Sequence, residues 1–264
     1  MHPIERLRFV ARASGAPVDD LVAEAAASLA GFSQDPVALV TACRRLVDRH
    51  AAVGPLWWLC ARTLLAADPA DEVWRCRSEH QADPTVDELA HALPDGARVA
   101  VVGWPDRLAE AFARRGDVQV RVIDVDGDGP GFARHLERLD VVADDVPPAG
   151  AAAAVAEGDL VVLDATAIGP EQAIAASGSW SAAAVARAAG IEVWAVGGVG
   201  RGIPAGLWPP LVARLGRPTD PPWERDVDLV PLGLVDRVAG RRGVEAVADA
   251  QAAVDTPDVA ELRR

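Results

Sequence analysis

Residues that could do chemistry are concentrated in the segment 159–181. Asp164 and Thr166 stand two positions apart at the end of a hydrophobic run, so both side chains can point to the same side of a strand. Gly178 and Ser179 then open a helical stretch whose free N–H groups and hydroxyl could bind an anion. An ordinary N-cap is the simpler explanation of Ser179. We predict catalytic roles for Asp164 and Thr166, and ligand binding at Gly178 and Ser179.

A second candidate is the glycine-rich stretch 197–202, which follows another hydrophobic run. So many glycines indicate unusual backbone dihedrals or the close approach of another group. Arg201 could pair there with a phosphate or a carboxylate of a ligand. A structural turn with an arginine salt bridge fits the stretch equally well. Gly200 and Arg201 are therefore candidate ligand-binding residues.

A third candidate is the turn at residues 103–106, which invites comparison with a dinucleotide site. Asp124 follows Gly103 by about 20 residues, where a ribose-binding acid would stand. The turn reads G-W-P-D rather than G-x-G-x-x-G, and Trp and Pro would block the approach of a pyrophosphate. We expect no cofactor. Gly103, Trp104 and Asp124 remain ligand-binding candidates, although Asp124 could simply be a solvated strand end.

These candidates need a scaffold of strands, and the sequence after residue 94 supplies one. Short hydrophobic runs alternate with helical stretches, at 98–103, 118–125, 139–143, 159–165 and 191–197. This alternation predicts βαβ units in a Rossmann-like, open parallel sheet with helices on both faces. Ligands of such sheets bind beyond the carboxyl ends of the strands, where the candidates lie.

The rest of the chain is predicted to be mainly helical. Helical periodicity marks the N-terminal segments 4–13, 18–30, 37–50, 56–67 and 86–93. After residue 205, helices are predicted over 205–215, 235–239 and 244–253. We predict a helical domain over 1–93, a Rossmann-like domain over 94–254 and a frayed tail over 255–264.

Composition excludes several classes of function. A net charge of −13 argues against a nucleic-acid surface, and apolar runs far below the ~20 residues of a membrane span argue against a membrane protein. The chain has no lysine, so Schiff-base and P-loop lysines are excluded. Three cysteines without a C-x-x-C pair indicate reduced thiols in the cytoplasm. Arginine in place of lysine is typical of a GC-rich bacterial genome.

Several stretches resemble the initiation-factor-2B-related family. This family contains the regulatory subunits of the eukaryotic nucleotide-exchange factor, methylthioribose-1-phosphate isomerase and ribose-1,5-bisphosphate isomerase. DLVVLDATAI resembles the family's D-x-V-x-V-G-A-D-x-I, and GSWSAAAVA resembles the G-T-x-x-x-A-x-x-A helix that follows it. Further resemblances lie at 191–196 and 230–243 and, more weakly, at 50–59. Together they run along nearly the whole chain in the family's order.

The resemblance implies a helical N-terminal domain, a Rossmann-like C-terminal domain and a homodimer. In the isomerases of the family, a cysteine and an aspartate interconvert the aldose and ketose forms of a sugar phosphate. Here the cysteine's place falls within 101–104, which holds no cysteine, and the aspartate's place is Thr166. The family's phosphate loop is replaced by 126–131. Asp164 could stand in for the lost carboxylate.

These departures predict an isomerase-inactive member of the family that binds a small phosphorylated metabolite or a partner subunit. A sugar-phosphate isomerase with an altered active site is one alternative. A purely interacting protein, in which exposed tryptophans serve an interface, is the other. Trp57, Trp58 and Trp194 are expected in the core. We expect four others to lie at loops or helix starts near the presumed ligand side: Trp104, Trp180, Trp208 and Trp223.

Overall fold

The computed structural model describes residues 17–216 and 221–263. It begins with four helices, α1 Val18–Ala30, α2 Pro36–Arg49, α3 Gly54–Leu65 and α4 Pro69–Gln81. The helices predicted at 18–30, 37–50 and 56–67 are confirmed to within two residues at each end. The helix predicted at 4–13 lies outside the described residues.

Local sequence explains where two of these helices begin. Asp35 accepts hydrogen bonds of 3.0 and 3.1 Å from N–H groups in the first turn of α2, and Asp68 accepts bonds of 2.9 and 3.1 Å in α4. Both caps are followed by proline, which suits the first helical position. Helix α4 is not predicted from the sequence, because most of its residues are polar and its buried face is narrow.

The α/β part starts with α5 Thr85–Ala92 and alternates strands with helices. It contains β1 Arg98–Val102, α6 Asp106–Arg115, β2 Gln119–Ile123, α7 Gly129–Glu137, β3 Val142–Val146, α8 Ala151–Ala156, β4 Leu160–Asp164, α9 Ser179–Ala189 and β7 Glu192–Val196. Two further strands, β9 Arg237–Gly240 and β10 Gly243–Ala246, complete the sheet. Among the described residues its order is β10-β9-β7-β4-β1-β2-β3, parallel except for β9–β10.

Both faces of this sheet are covered. Val99 and Val101 of β1 belong to a core cluster shared with α5, α6 and α7, whereas Ala100 and Val102 belong to one shared with α9. Successive strand residues point to opposite faces, so a strand buried on both sides is apolar at every position. The predicted Rossmann-like parallel sheet is therefore confirmed.

A second, antiparallel sheet is not predicted from the sequence. It consists, among the described residues, of β5 Ala167–Ile168, β6 Gln172–Ala176 and β8 Val227–Pro231, in the order β5-β6-β8. Strand β6 has the sequence QAIAA, and alanine has a low preference for strands. Strand β5 is only two residues long, and the other partner of β6, strand β8, lies far away in the sequence, so local patterns indicate this sheet poorly.

The predictions for the segment after residue 205 are partly wrong. Residues 235–239 are predicted as a helix, but 237–240 form β9, which pairs with β7 and β10. The predicted helix 244–253 is split into β10 and α11 Val247–Ala252, because Gly243 has a φ of +100° and turns the chain into a hairpin. The predicted helix 205–215 is reduced to α10 Trp208–Val212, since Pro209 and Pro210 fit only the first turn.

Two smaller corrections concern β3 and the C-terminal tail. Strand β3 lies three residues later than predicted, because Asp140, with a φ of +61°, continues the turn after α7. The tail is not frayed within the described residues. Val259 and Leu262 are buried in the helical core, and Arg44 donates a hydrogen bond of 2.7 Å to the Glu261 carbonyl.

Helix α5 packs with the sheet, since Leu89, Ala90 and Leu93 belong to the core of β1. The domain boundary at residue 93 stays a prediction. No helix among residues 17–216 and 221–263 combines the length and apolar character that a membrane crossing requires.

Candidate functional site

Two charged residues of the predicted site, Asp164 and Arg201, form an ion pair in which the arginine is buried and the carboxylate is partly exposed. Asp164 ends β4, and Arg201 lies in the loop after the neighbouring strand β7 with 2% of its surface exposed. Nη1 of Arg201 contacts the Asp164 carboxylate and donates to the Ala165 carbonyl at 2.6 Å. A third contact, 3.5 Å to the Val196 carbonyl, reaches β7. The arginine therefore ties the carboxyl ends of β4 and β7 together.

Thr166 is engaged by the backbone around it. Its N–H and its hydroxyl both donate to the Ile174 carbonyl, at 2.8 and 3.4 Å. Its own carbonyl accepts a hydrogen bond of 3.0 Å from the N–H of Gly54, the first residue of α3. Thr166 thus links β6 to the helical part of the chain, and its hydroxyl has a protein partner.

Glycines in this region allow α3 to approach the loop after β7. A Cβ on Gly54 would lie 2.8 Å from the Thr166 carbonyl oxygen and 3.1 Å from the Cα of Arg201. Gly200 has a φ of +77°, and a Cβ there would lie 3.0 Å from the ring of Trp58. These positions need glycine for close packing of the chain on itself. Gly200 and Arg201 are therefore placed beside Asp164 and Thr166, in a tightly packed junction.

The start of α9 already has an anion of the chain's own. Oδ2 of Asp228, on β8, accepts a hydrogen bond of 2.9 Å from the N–H of Trp180 in the first turn. Gly178 takes a φ of +90° directly before this turn, and Ser179 is 1% exposed. The helix N-terminus that the sequence offers to an anion is thus capped by a carboxylate.

The remaining predicted residues organise loops. A Cβ on Gly103 would lie 3.7 Å from Ala176 and 3.8 Å from Val125, so apolar side chains fill the corner beside it. The Asp124 carboxylate accepts from two N–H groups of its own loop, at 2.8 and 3.1 Å. Trp104, half exposed, packs on Phe132 at 5.4 Å between ring centroids.

The three cysteines are buried free thiols in the helical core. Burial raises the pKa of Cys76 to about 12 and the pKa of Cys60 well above its usual value. Thiols with such pKa values stay protonated at neutral pH and are poor nucleophiles. Within the described part of the chain, no three His, Cys, Asp or Glu side chains are grouped so as to hold a metal ion.

Sequence reasoning missed a polar cavity of about 340 Å³ between α1, the end of α4, the start of α5 and α6. We call it the α1–α4–α6 cavity. In its wall, Asp83 accepts hydrogen bonds from Thr85 Oγ1 (2.6 Å), Arg107 Nη2 (2.8 Å) and the N–H of Val199 (2.9 Å). Burial opposes ionisation of Asp83, but these hydrogen bonds and the charge of Arg107 lower its pKa overall.

No sequence signal could have identified this cavity. The Asp83-Pro84 pair reads as a helix boundary, and His80 and Arg107 are single polar residues on helices that are 25 residues apart in the chain. Gly103, Asp164, Thr166, Ser179 and the other predicted site residues do not line it.

Comparisons with known proteins show what the fold resembles. No family model and no curated protein sequence matches the chain. A translation initiation factor eIF-2B from Pyrococcus horikoshii OT3 has a similar structure, with a TM-score of 0.77, 14% identity, and coverage of 94% of this chain and 98% of that one. A chain of the tetrameric eIF2B-beta2-delta2 complex from C. thermophilum gives a TM-score of 0.73 at 17% identity, covering 95% and 92%.

An enzyme has a similar structure as well. The 5-methylthioribose 1-phosphate isomerase from P. horikoshii OT3 gives a TM-score of 0.62 at 14% identity, covering 93% of this chain and 84% of that one. At these identities the likeness concerns the fold, and it extends over nearly the whole chain. The chain therefore has the fold shared by eIF-2B subunits and 5-methylthioribose 1-phosphate isomerase, as its sequence resemblance to the initiation-factor-2B-related family predicts.

Proposed function

We propose that the chain is an isomerase-inactive member of the initiation-factor-2B-related family and functions as a subunit of a protein assembly. The proposal rests on one contact. Asp164, the carboxylate that could replace the family's catalytic aspartate, is paired with the buried Arg201. A carboxylate held in this way is part of the fold.

Isomerisation of a sugar phosphate moves a proton between neighbouring carbon atoms, which requires a base and an acid near the substrate. Asp164 is ion-paired, and the Thr166 hydroxyl donates to a carbonyl. The place of the family's cysteine falls within 101–104, which holds no cysteine. The predicted positions therefore offer neither group in a usable form.

A phosphorylated metabolite is the other class of ligand that the resemblance implies, and it is less well supported. The N-terminus of α9 is capped by Asp228, and Arg201 is buried in its ion pair. A phosphate at either position would have to displace a carboxylate of the chain. We therefore favour a protein partner over a phosphorylated metabolite.

Two exposed tryptophans flank the junction between α9 and β8. Trp180 is 48% exposed and Trp223 is 82% exposed. Hydrogen bonds from the N–H of Ser177 to the Asp226 carbonyl (3.1 Å) and from the N–H of Trp180 to Asp228 (2.9 Å) hold the two segments together. Tryptophan is enriched at the centres of protein interfaces, so this surface is a suitable contact site.

A second copy of the chain is the partner that we propose. One structural neighbour belongs to a tetrameric eIF2B-beta2-delta2 complex, so this fold is compatible with assembly. A two-fold contact would place the same surface on both copies. The buried free thiols fit the reducing cytoplasm in which we place this assembly, and the arginine-rich composition fits a bacterial source.

Light scattering coupled to size-exclusion chromatography tests the proposed assembly. The wild-type chain should elute with twice the mass of one chain, and the double variant Trp180→Ser, Trp223→Ser should elute with the mass of one. Trp74→Ser is the matched control, since Trp74 is 44% exposed but lies on α4, and it should leave the dimer intact. A monomeric wild type, or a double variant that stays dimeric, would contradict the proposal.

A further inference from the structure

An open groove of about 910 Å³ lies on the helical part of the chain. One side of α4 and the end of α3 form its walls, and Pro257 near the end of the chain also lines it. The residues of α4 that line it recur every three or four positions, as expected for one side of a helix. We call it the α3–α4 groove. Trp180, Trp223 and the predicted site residues do not line it, so it is a separate surface.

The groove exposes two large apolar side chains. Leu65, the last residue of α3, is 61% exposed, and Trp74 on α4 is 44% exposed. Ala66, Ala67 and Pro257 also line the groove and add apolar surface. Exposed tryptophans that lie among other apolar side chains are typical of protein interfaces, since burying their rings contributes much of the binding free energy. The groove therefore suits a partner that brings apolar side chains.

Carboxylates outnumber arginines around the groove. Four carboxylates and two arginines line it, an excess of two negative charges; they are Asp68, Asp71, Glu72 and Glu79 with Arg62 and Arg75. Both arginines contact glutamates of α4, and Nε of Arg62 lies 2.6 Å from Glu72. The excess charge therefore remains on the exposed Asp68 and Asp71. Charges of this sign at the rim favour a basic partner.

The charge of the whole chain decides between two kinds of partner. Its net charge is −13, so a second copy would bring further negative charge to an acidic groove. A basic partner is attracted by the same charges and can also use the ring of Trp74. The guanidinium of Arg77 already lies over this ring, 5.6 Å from its centroid, which shows that the ring accepts a cationic side chain. A basic protein is therefore the better occupant.

We infer that the α3–α4 groove binds a basic amphipathic helix of a partner protein. Apolar side chains of that helix pack on Leu65 and Trp74, and its arginine or lysine side chains lie toward Asp68 and Asp71. The walls of the groove are helices rather than strand edges, so a third helix can pack its side chains between theirs. This inference concerns a different surface from Trp180 and Trp223 and does not depend on the proposed function.

Isothermal titration calorimetry of the full chain tests the inference with three synthetic peptides. The probe has about 14 residues, with leucine at the spacing of one helix face and arginine elsewhere. One control peptide has the same composition in an order that forms no apolar face, and the other has glutamate in place of arginine. The probe should bind at least about tenfold more tightly than either control. No binding of the probe, or equal binding of the peptide without an apolar face, would overturn the inference.

Variants locate the binding. Trp74→Ser should weaken binding of the probe at least about tenfold, and Asp71→Asn should weaken it less and reduce its dependence on salt. Val142→Ser is the matched control, because Val142 is also an exposed apolar side chain but lies on β3, and this variant should bind like the wild type. Unchanged affinity in the first two variants would overturn the proposed position. Loss of a dimer in Trp74→Ser would show that a second copy occupies the groove and would also overturn the inference.

Discussion

The carboxyl ends of β4 and β7 and the α1–α4–α6 cavity both hold charged side chains, but they differ in how closely the chain packs around them. At the strand ends, Arg201 contacts a carboxylate and two carbonyls, and Thr166 donates to a carbonyl. In the cavity wall, Nε2 of His80 lies 2.9 Å from Oδ1 of Asp19, and Nη2 of Arg107 donates to Asp83. Each region also has a buried arginine nitrogen without a hydrogen-bond partner among the described residues, Nε of Arg201 and Nη1 of Arg107. The first region is packed closely, and the second holds about 340 Å³ of open space.

This difference shows that charged side chains beside a strand end can serve the fold and need not mark a ligand site. Charged and glycine-rich segments at strand ends suggest a ligand site, yet here the Asp164 carboxylate, Nη1 of Arg201 and the Thr166 hydroxyl are all engaged by the chain itself. If the strand-end region is structural, substitutions there should lower the stability of the fold, most at Asp164 and less at Gly54 and Asp228.

The largest effect is expected from Asp164→Asn. The substitution removes the charge that compensates the buried Arg201, and the loss in the free energy of unfolding should be about 2–4 kcal/mol, because Asp164 is partly exposed. Urea unfolding measures it. Asp159→Asn is the matched control at the other end of β4, where the pair with Arg98 is 44% exposed on both sides, and it should cost under about 1 kcal/mol. If both variants lose the same free energy of unfolding, Asp164 matters no more to the fold than the exposed Asp159, and the account is contradicted.

Gly54→Ala tests the close packing of α3 against the strand-end loop. The new Cβ would meet backbone atoms of Thr166 and Arg201, which cannot rotate away, so a loss of about 1–3 kcal/mol is expected. Gly233→Ala is the control, because a Cβ there meets nothing within 4 Å. Thermal unfolding of both variants provides the comparison, and a stable Gly54→Ala protein would show that the junction is loose enough to admit a ligand.

Asp228→Ala tests the internal cap of α9. Loss of the acceptor for the N–H of Trp180 should lower the free energy of unfolding by about 1 kcal/mol. Asp228→Asn keeps an acceptor oxygen and should lose less. Urea unfolding compares the two, and if neither changes stability, Asp228 is not the anion that this helix requires.

The smallest effect concerns pH. The hydrogen bond and charge of Arg98 lower the pKa of Asp159 to about 2. A carboxylate with a lowered pKa stabilises the folded state above its unfolded pKa of about 3.9, and this contribution disappears as the pH falls toward about 2. Asp159→Asn should therefore reduce the acid sensitivity of unfolding between about pH 4 and pH 2, by well under 1 kcal/mol because the pair is exposed. An identical pH profile in the variant would contradict this.

Sequence patterns predict the parallel sheet and its helices well, because short segments of the sequence mark where each strand and helix begins and ends. Helix α9 is predicted at its observed bounds, since Gly178 and Gly190 both take positive φ values and mark its ends. Strands β1, β4 and β7 are apolar at almost every position, as burial on both faces requires.

Local patterns fail for elements that form only by pairing with residues far away in the sequence. Residues 235–239 are predicted as a helix, but 237–240 form β9, because β7 offers a strand edge some 40 residues earlier in the chain. Sequence spacing also brings Asp164, Thr166, Gly200 and Arg201 to one place, as the structure does. It cannot show that Asp164 and Arg201 would neutralise each other, since that depends on the loop after β7 folding back onto β4.

The most direct test of the account is a turnover assay of the wild-type chain with 5-methylthioribose 1-phosphate, the substrate in the name of a structural neighbour. The paired Asp164 and the missing cysteine predict no conversion above the uncatalysed rate. Conversion at an ordinary enzymatic rate, on the order of 1–1000 s⁻¹, would contradict the account and show that the strand-end region opens into an active site.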